Sequence, residues 1–294
     1  MDYVQPLQHD DGHVNLMKFI KLVKPGIIFG NIVTLCGGFF VAVQGNFSWS
    51  VFLSALFGMA FIIASGCVLN NYIDRDIDQL MKRTQNRPSA CGLVSLKFAL
   101  SYAFILGAIG FAILLVGTNL LTIIIAAIGL FAYVVAYTLW FKRNSIFGTV
   151  IGAISGSIPP VIGYTAMTNH FDLVAVVLFV ILFCWQIPHF FAIAIYRKDD
   201  YAAANIPVLP LKRSMLYTKV NILLFVLLYV LATFMLMIVA TVHLLYCAVA
   251  IILGATWIML SIQGFKMENH EQWARKMFLF SIISITLLSI FMAI

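Results

Sequence analysis

The chain has 294 residues, of which 63% are apolar, 14% aromatic and only 10% charged. Soluble domains carry about 25% charged residues, so a water-soluble globule, a disordered chain and a disulfide scaffold are excluded, leaving a polytopic helical membrane protein. The net charge of +7 would suit nucleic acid, but the positions of the basic residues argue for a lipid bilayer as partner and no nucleic acid.

From the N-terminus, Met1 to Val14 is polar and acidic and lacks the basic start and short apolar core of a cleaved signal peptide. It predicts a cytoplasmic tail, with insertion left to the first span. His9-Asp10-Asp11-Gly12-His13 offers metal ligands in principle, although flexible acidic ends are commoner. Pro25 to Ile73 is an uncharged run of 49 residues, Phe98 to Phe141 one of 44, and Val220 to Phe265 one of 46. A spanning helix needs about 20 residues, so each run reads as two spans joined by a short turn. Asn144 to Tyr196, 53 residues with the single charge Asp172, reads the same way, and Met277 to Ile294 supplies one span more. The expectation is an all-α protein of nine transmembrane helices around one cavity near the cytoplasmic face, residues 1–294 forming a single integral membrane domain.

Each hairpin returns the chain to the side it left, so the charged clusters share one face. All 18 Lys and Arg lie in them, and the opposite turns, near Gly45-Asn46-Phe47, Gly117-Thr118-Asn119, Asn169-His170 and Thr241-Val242-His243, carry none. The positive-inside rule then predicts a multi-pass protein of the bacterial inner membrane with its N-terminus cytoplasmic and its C-terminus outside. Cys36, Cys67, Cys91, Cys184 and Cys247 show no paired spacing and are expected as free thiols.

The second span runs into Asn70-Asn71-Tyr72-Ile73-Asp74-Arg75-Asp76-Ile77-Asp78 without a Gly or Pro after Gly66. Asn70, Asp74 and Asp78 are spaced i, i+4, i+8 and share one helix face, with Asp76 about 200° round from Asp74. Two carboxylates and an amide oxygen on one stripe are hard ligands that suit Mg²⁺, which usually keeps waters and bridges to phosphate oxygens. Lys82, Arg83 and Arg87 follow closely, so the segment reads as a site for a metal-bound diphosphate. The plainer alternative is a solvated helix end. Against it, three of the chain's eleven acids fall within five positions.

Gly148, Gly152 and Gly156 recur every four residues before the Pro159-Pro160 break, a small-residue stripe expected to serve helix packing more than substrate contact. After the sixth span comes a second acidic loop, in which Tyr196 and Asp200 are i, i+4 partners and Asp199 is out of register by one. The two acidic loops suggest two similar halves facing one cavity.

These residues resemble the UbiA superfamily of intramembrane prenyltransferases, which are nine-helix proteins. The resemblance covers Lys24-Pro25-Gly26, Asn70 to Arg87, Trp140 to Arg143, Pro159 to Tyr164, Trp185 to His189, Asp200 to Pro210, and Trp273 to Lys276. Trp185-Gln186-Ile187-Pro188-His189 and the Asp200 to Pro210 segment are its specific part, and resemble the branch that forms haem O. Two departures stand out: many members have Asp-x-x-x-Asp where this chain has Tyr196 and Asp200, and Pro88-Ser89-Ala90-Cys91-Gly92 differs from the usual small, polar run.

The resemblance implies transfer of farnesyl from farnesyl diphosphate to a vinyl group of haem B with addition of water. It implies Mg²⁺ held by Asn70, Asp74 and Asp78 on one wall and by Asp200, with help from Asp199, on the other. Lys82, Arg83, Arg87, Lys142 and Arg143 are the candidates for the remaining phosphate charge. Trp185, His189 and Tyr196 are the candidate haem contacts; His189 could ligate iron or hydrogen-bond a propionate, or simply be satisfied by Gln186, Tyr196 or a carbonyl. A downstream haem-modifying enzyme or terminal oxidase would take up the product. A quinone-precursor prenyltransferase would share Asn70 to Asp78, and a cation-coupled transporter would bury its acids nearer the midplane beside broken helices.

Overall fold

Turn chemistry sets where each helix starts. Ser48, Ser95, Asn119, Asp172, Ser214 and Asn269 each stop a preceding turn and accept a backbone N–H of the new helix through the side chain, as Asn119 Oδ1 does from Thr122 at 3.0 Å and Asp172 Oδ1 from Val174 at 3.0 Å. The computed structural model describes residues 16–43 and 45–293. The polar tail and its His9 to His13 segment lie outside the described residues.

Among the described residues nine helices are long and apolar enough to cross a membrane: α1 (Pro25–Ala42), α2 (Trp49–Ile73), α3 (Leu96–Gly117), α4 (Leu120–Asn144), α5 (Gly148–Thr168), α6 (Leu173–Tyr196), α7 (Met215–Val239), α8 (Leu244–Gln263) and α9 (His270–Phe291). The count and the hairpin pattern agree with the charge-free runs. Short helices at Leu16–Leu22, Arg75–Leu80, Lys198–Ala203 and Leu209–Lys212 fall in the charged connections. Large apolar side chains face outward, Val116 at 89% exposure and Phe104 at 77% among them, as a lipid-facing surface requires. The protein is a multi-pass all-α membrane protein.

The helices close into a ring. α2 packs on α3, α1 on α5, α6 on α7 and α9, α7 on α8, and α9 returns to α1. The α1 and α5 backbones nearly touch, because a Cβ on Gly38 would stand 2.0 Å from Pro160 O and one on Gly163 would stand 2.1 Å from Leu35 O. Small residues permit that approach where a side chain could not.

Two helices depart from regular α geometry. α5 breaks at Ser157, ahead of Pro159 and Pro160, as the prolines predict. In α4, residues Ala132–Phe141 form a π-helical stretch, which nothing in the apolar sequence signals. Such widened turns are rare and concentrate at functional sites.

Candidate active site

The acidic stripe folds as its spacing predicts. Asn70, Asp74 and Asp78 are 3%, 0% and 1% exposed, while Asp76 on the other face has an exposed carboxylate. The helical repeat survives the slight interruption at Asp74: the Asp74 amide donates to Asn70 O at 2.9 Å and the Asp78 amide to Asp74 O at 2.8 Å.

Each stripe residue meets a cation from another part of the chain. Lys24, at the entry to α1, donates to Asn70 Oδ1. Lys142, at the end of α4, pairs with Asp74 Oδ2. Arg87 reaches Asp78 Oδ2 at 2.8 Å. Asn70 Nδ2 in turn donates to Asp74 Oδ2 at 2.7 Å and to Thr138 Oγ1 at 3.1 Å, and Thr138 belongs to the π stretch. Thus α1, α2, α4 and the segment after α2 converge on three polar side chains. Burial, foremost, pulls the Lys24 ammonium down to about 8.

The second acidic loop joins the first. The Lys82 backbone N–H donates to Asp200 Oδ1 at 3.0 Å, and Asp200 is 9% exposed. The expected partner Asp199 does not follow: one position along a helix is about 100° round, and Asp199 lies exposed on the short helix Lys198–Ala203.

The five cations expected at the diphosphate also divide. Arg83, Arg87 and Lys142 line the cavity described below, whereas Lys82 and Arg143 do not. Lys82 is exposed and contributes its backbone instead. Arg143 is taken up by Asp76, whose carboxyl it holds at about 2 through hydrogen bonds, and by Ile73 O at 2.7 Å. Tyr196 is likewise turned away from the cavity; its ring lies under the Arg197 and Arg275 guanidinium groups, at 5.3 and 5.9 Å, and packs on Phe278.

One cavity of about 660 Å³ runs from this cluster into the apolar interior. Lys24, Asn70, Asp78, Arg83, Arg87 and Lys142 line its polar end; Tyr133, Tyr137 and Tyr201 follow; Trp185, His189, Phe190 and Phe278 form an aromatic wall. Burial pushes the Tyr201 phenol up, keeping it protonated. Trp185 stacks on His189 at 4.8 Å between ring centres and donates Nε1–H to Ser281 O at 2.7 Å. His189 Nδ1 meets Ser281 Oγ at 2.7 Å. Gln186 is occupied elsewhere, on Ala153 O and Ser157 Oγ, both at 3.1 Å.

The glycine stripe does the packing expected of it. A Cβ on Gly152 would press on the Tyr137 ring at 3.1 Å and one on Gly156 would collide with Gln186 Oε1 at 2.0 Å. The same three glycines border the cavity, so close packing and cavity shape are one feature.

Asp74 Oδ1 and Asp78 Oδ1 are buried without a hydrogen-bond partner; the Arg143 guanidinium stands 3.7 Å from the former. Orphaned carboxylate oxygens in a buried site are costly unless a cation completes them. Among the described residues no cluster of three His, Cys, Asp or Glu could cage a metal alone. The donor set therefore fits a hard divalent ion whose shell is finished by water and phosphate oxygens.

Sequence reasoning overlooked Lys24, Tyr133, Tyr137 and Tyr201 as cavity residues. Lys24 carried a signal, standing immediately before the proline that opens α1. Tyr201 stood in the Asp200 to Pro210 segment, whereas Tyr133 and Tyr137 carried no signal beyond aromatic character, because the π stretch decides which of them face inward.

A model of the UbiA prenyltransferase family matches residues 31–283. The protoheme IX farnesyltransferase of Pseudomonas savastanoi pv. phaseolicola (strain 1448A / Race 6) is 50% identical over 281 residues, spanning 96% of this chain and 95% of that one. The structure of a digeranylgeranylglyceryl phosphate synthase is similar at a TM-score of 0.77 and 20% identity, over 95% of this chain and 98% of that one. A UbiA homolog from Archaeoglobus fulgidus bound to GPP and Mg²⁺ is similar at a TM-score of 0.67 and 14% identity, over 94% and 99%. The two structures share the fold, and the sequence match carries the relationship across nearly the full length: this chain belongs to the UbiA prenyltransferase family.

Proposed function

We propose that the chain transfers the farnesyl group of farnesyl diphosphate to a vinyl carbon of haem B, with addition of water, to give haem O and diphosphate. The observation that carries this reading is the continuity of one cavity from the cation-ringed acidic stripe to the Trp185–His189 wall. Its support for the acceptor is the near full-length identity to a protein named protoheme IX farnesyltransferase.

Asn70, Asp74 and Asp78, with Asp200 opposite, would hold Mg²⁺, which when bound neutralises charge on the departing diphosphate. The chain's own residues do the rest. Arg87 and Lys142 already stand on the stripe carboxylates, so entry of a diphosphate gives them phosphate oxygens to share. Arg83 and Lys24 add positive charge at the same end. As the allylic C–O bond breaks, its electron pair leaves with the diphosphate and the farnesyl cation forms in the apolar part of the cavity. Tyr133 and Tyr137 line that part, and aromatic faces stabilise a cation without reacting with it. The vinyl π electrons make the new C–C bond. The resulting cation, delocalised into the porphyrin, takes a water oxygen, and the proton released goes to diphosphate or solvent. Apolar walls matter because bulk water would quench the first cation.

The diphosphate end is proposed to face the cytoplasm of a bacterial inner membrane, with the N-terminus inside and the C-terminus outside. Lys24, Arg87, Lys142 and Arg143, held beside the acids, support that orientation together with the basic residues of the other connections. The chain is proposed to act as one membrane domain, passing haem O to a haem-modifying enzyme or terminal oxidase.

The test supplies purified protein with haem B, farnesyl diphosphate and Mg²⁺ and follows the porphyrin by mass. Conversion to haem O is expected. Prenylation of a hydroxybenzoate or naphthoate with haem B untouched would overturn the acceptor.

A further inference from the structure

The hydrogen bonds around Ser281 fix the proton on His189. Ser281 Oγ lies 2.6 Å from Phe278 O and 2.7 Å from His189 Nδ1. A hydroxyl has one proton, and a carbonyl oxygen can only accept. An O···O contact of 2.6 Å without a proton between the atoms would be repulsive. The Ser281 proton therefore goes to Phe278 O, and the Ser281 oxygen accepts from His189 Nδ1–H. The neutral imidazole then carries no proton on Nε2.

That nitrogen is left as a bare lone pair in a residue that lines the cavity. The ring is not free to turn it away, since Trp185 stacks on it and Phe278 packs at 5.0 Å between ring centres. Trp185 is itself fixed to the backbone oxygen of Ser281. An Nδ1–H bound to a hydroxyl with Nε2 exposed is the arrangement that metal-ligating histidines adopt, the outer hydrogen bond setting tautomer and orientation. In this neutral tautomer Nε2 can accept or ligate but not donate, so a hydrogen bond from it to a propionate would need a second ring proton.

We infer that His189 Nε2 is an axial ligand to the iron of the haem acceptor, and that Ser281 is the positioning residue that keeps the ligating tautomer. The inference rests on the proposed haem acceptor and adds how the porphyrin is held. An axial bond sets the macrocycle across the Fe–N direction and leaves its rim to reach along the cavity. The vinyl groups are on that rim. His189 precedes the charged end of α6 by seven residues, about 10 Å of helix, so a porphyrin anchored there extends toward the stripe without entering the diphosphate end.

The test is a spectroscopic titration of the full-length protein in detergent with ferric haem B, with no prenyl donor present. Wild type is expected to give the Soret and electron-paramagnetic signature of imidazole ligation. His189→Ala and His189→Phe should lose that signature, the second keeping an aromatic ring in place, and added imidazole should restore it in His189→Ala. Ser281→Ala should keep the signature but bind haem about tenfold more weakly, the loss typical of removing a group that orients a metal ligand. Haem binding with a spectrum identical in wild type and both His189 variants would overturn the inference and leave the acceptor standing. No haem binding by wild type would overturn both.

Discussion

Arg143 grips Asp76 through two N–H···O contacts of 2.7 Å each, while its neighbour Lys142 sits on the fully buried Asp74. Adjacent cations on one helix end thus have opposite duties: one ties α4 to the outer face of the acidic helix, the other serves the cavity. Arg143→Ala is expected to shift stability by about 1 kcal/mol or less, as exposed pairs do, with the KM for farnesyl diphosphate unchanged. Lys142→Ala should raise that KM about tenfold or more, equivalent to about 1.4 kcal/mol. Steady-state kinetics with thermal unfolding of the same preparations separates the two.

Asp74→Asn and Asp78→Asn keep the size of the side chain and remove the anionic oxygen that has no hydrogen-bond partner. Turnover to haem O should fall by about 10²- to 10³-fold, the scale seen when one group stabilising transition-state charge is removed. Membrane insertion should be retained, measured by the amount and monodispersity of extracted protein. Unaltered turnover in both variants would remove the stripe from the site.

Chelation gives an independent check on the donor set. Excess EDTA should abolish product formation, and Mg²⁺ added beyond the chelator should restore it, because two carboxylates and an amide without thiol or imidazole favour a hard ion. Full activity in the chelator would show that Lys24, Arg87 and Lys142 suffice for the diphosphate.

Gly38 and Gly30 lie two turns apart on α1 but differ in surroundings. A methyl group at Gly38 meets the Pro160 backbone, whereas nothing stands within 4 Å of a Cβ at Gly30. Gly38→Ala should therefore cost about 1–3 kcal/mol, the range for overpacking a filled interior, and Gly30→Ala very little. Unfolding midpoints in detergent compare them directly.

Cys91 is an exposed free thiol in the segment between α2 and α3. A membrane-impermeant maleimide should label it in inverted vesicles and leave it unmodified in spheroplasts. The reverse pattern would invert the proposed orientation.

Charge position made the nine helices legible, since 18 basic residues confined to short connections and the helix ends beside them leave only apolar runs of spanning length between them. The stripe was legible for a similar reason: the backbone hydrogen bonds of Asn70, Asp74 and Asp78 keep the helical repeat through the interruption at Asp74, so spacing sets direction. Lys82 and Arg143 lie outside the cavity lining through partners distant in sequence, which spacing does not reveal: Asp200 for the Lys82 backbone and Asp76 for the Arg143 guanidinium. Tyr196, the last residue of α6, is likewise held outside the lining by Arg275 and Phe278 on α9. Ser281 gave no signal at all, because its importance lies in which proton it holds and not in its residue type.

The π stretch from Ala132 to Phe141 makes α4 sensitive to length in a way its composition hides. Deleting a single residue there would change the winding, because these widened turns rotate less per residue than the roughly 100° of a regular helix. Thr138, inside the stretch, would turn from Asn70 although no residue of the site had been altered. A variant library that scans only substitutions would pass over this segment as featureless hydrophobic filler. A one-residue indel scan would find it, with activity collapsing at positions where most apolar exchanges are silent.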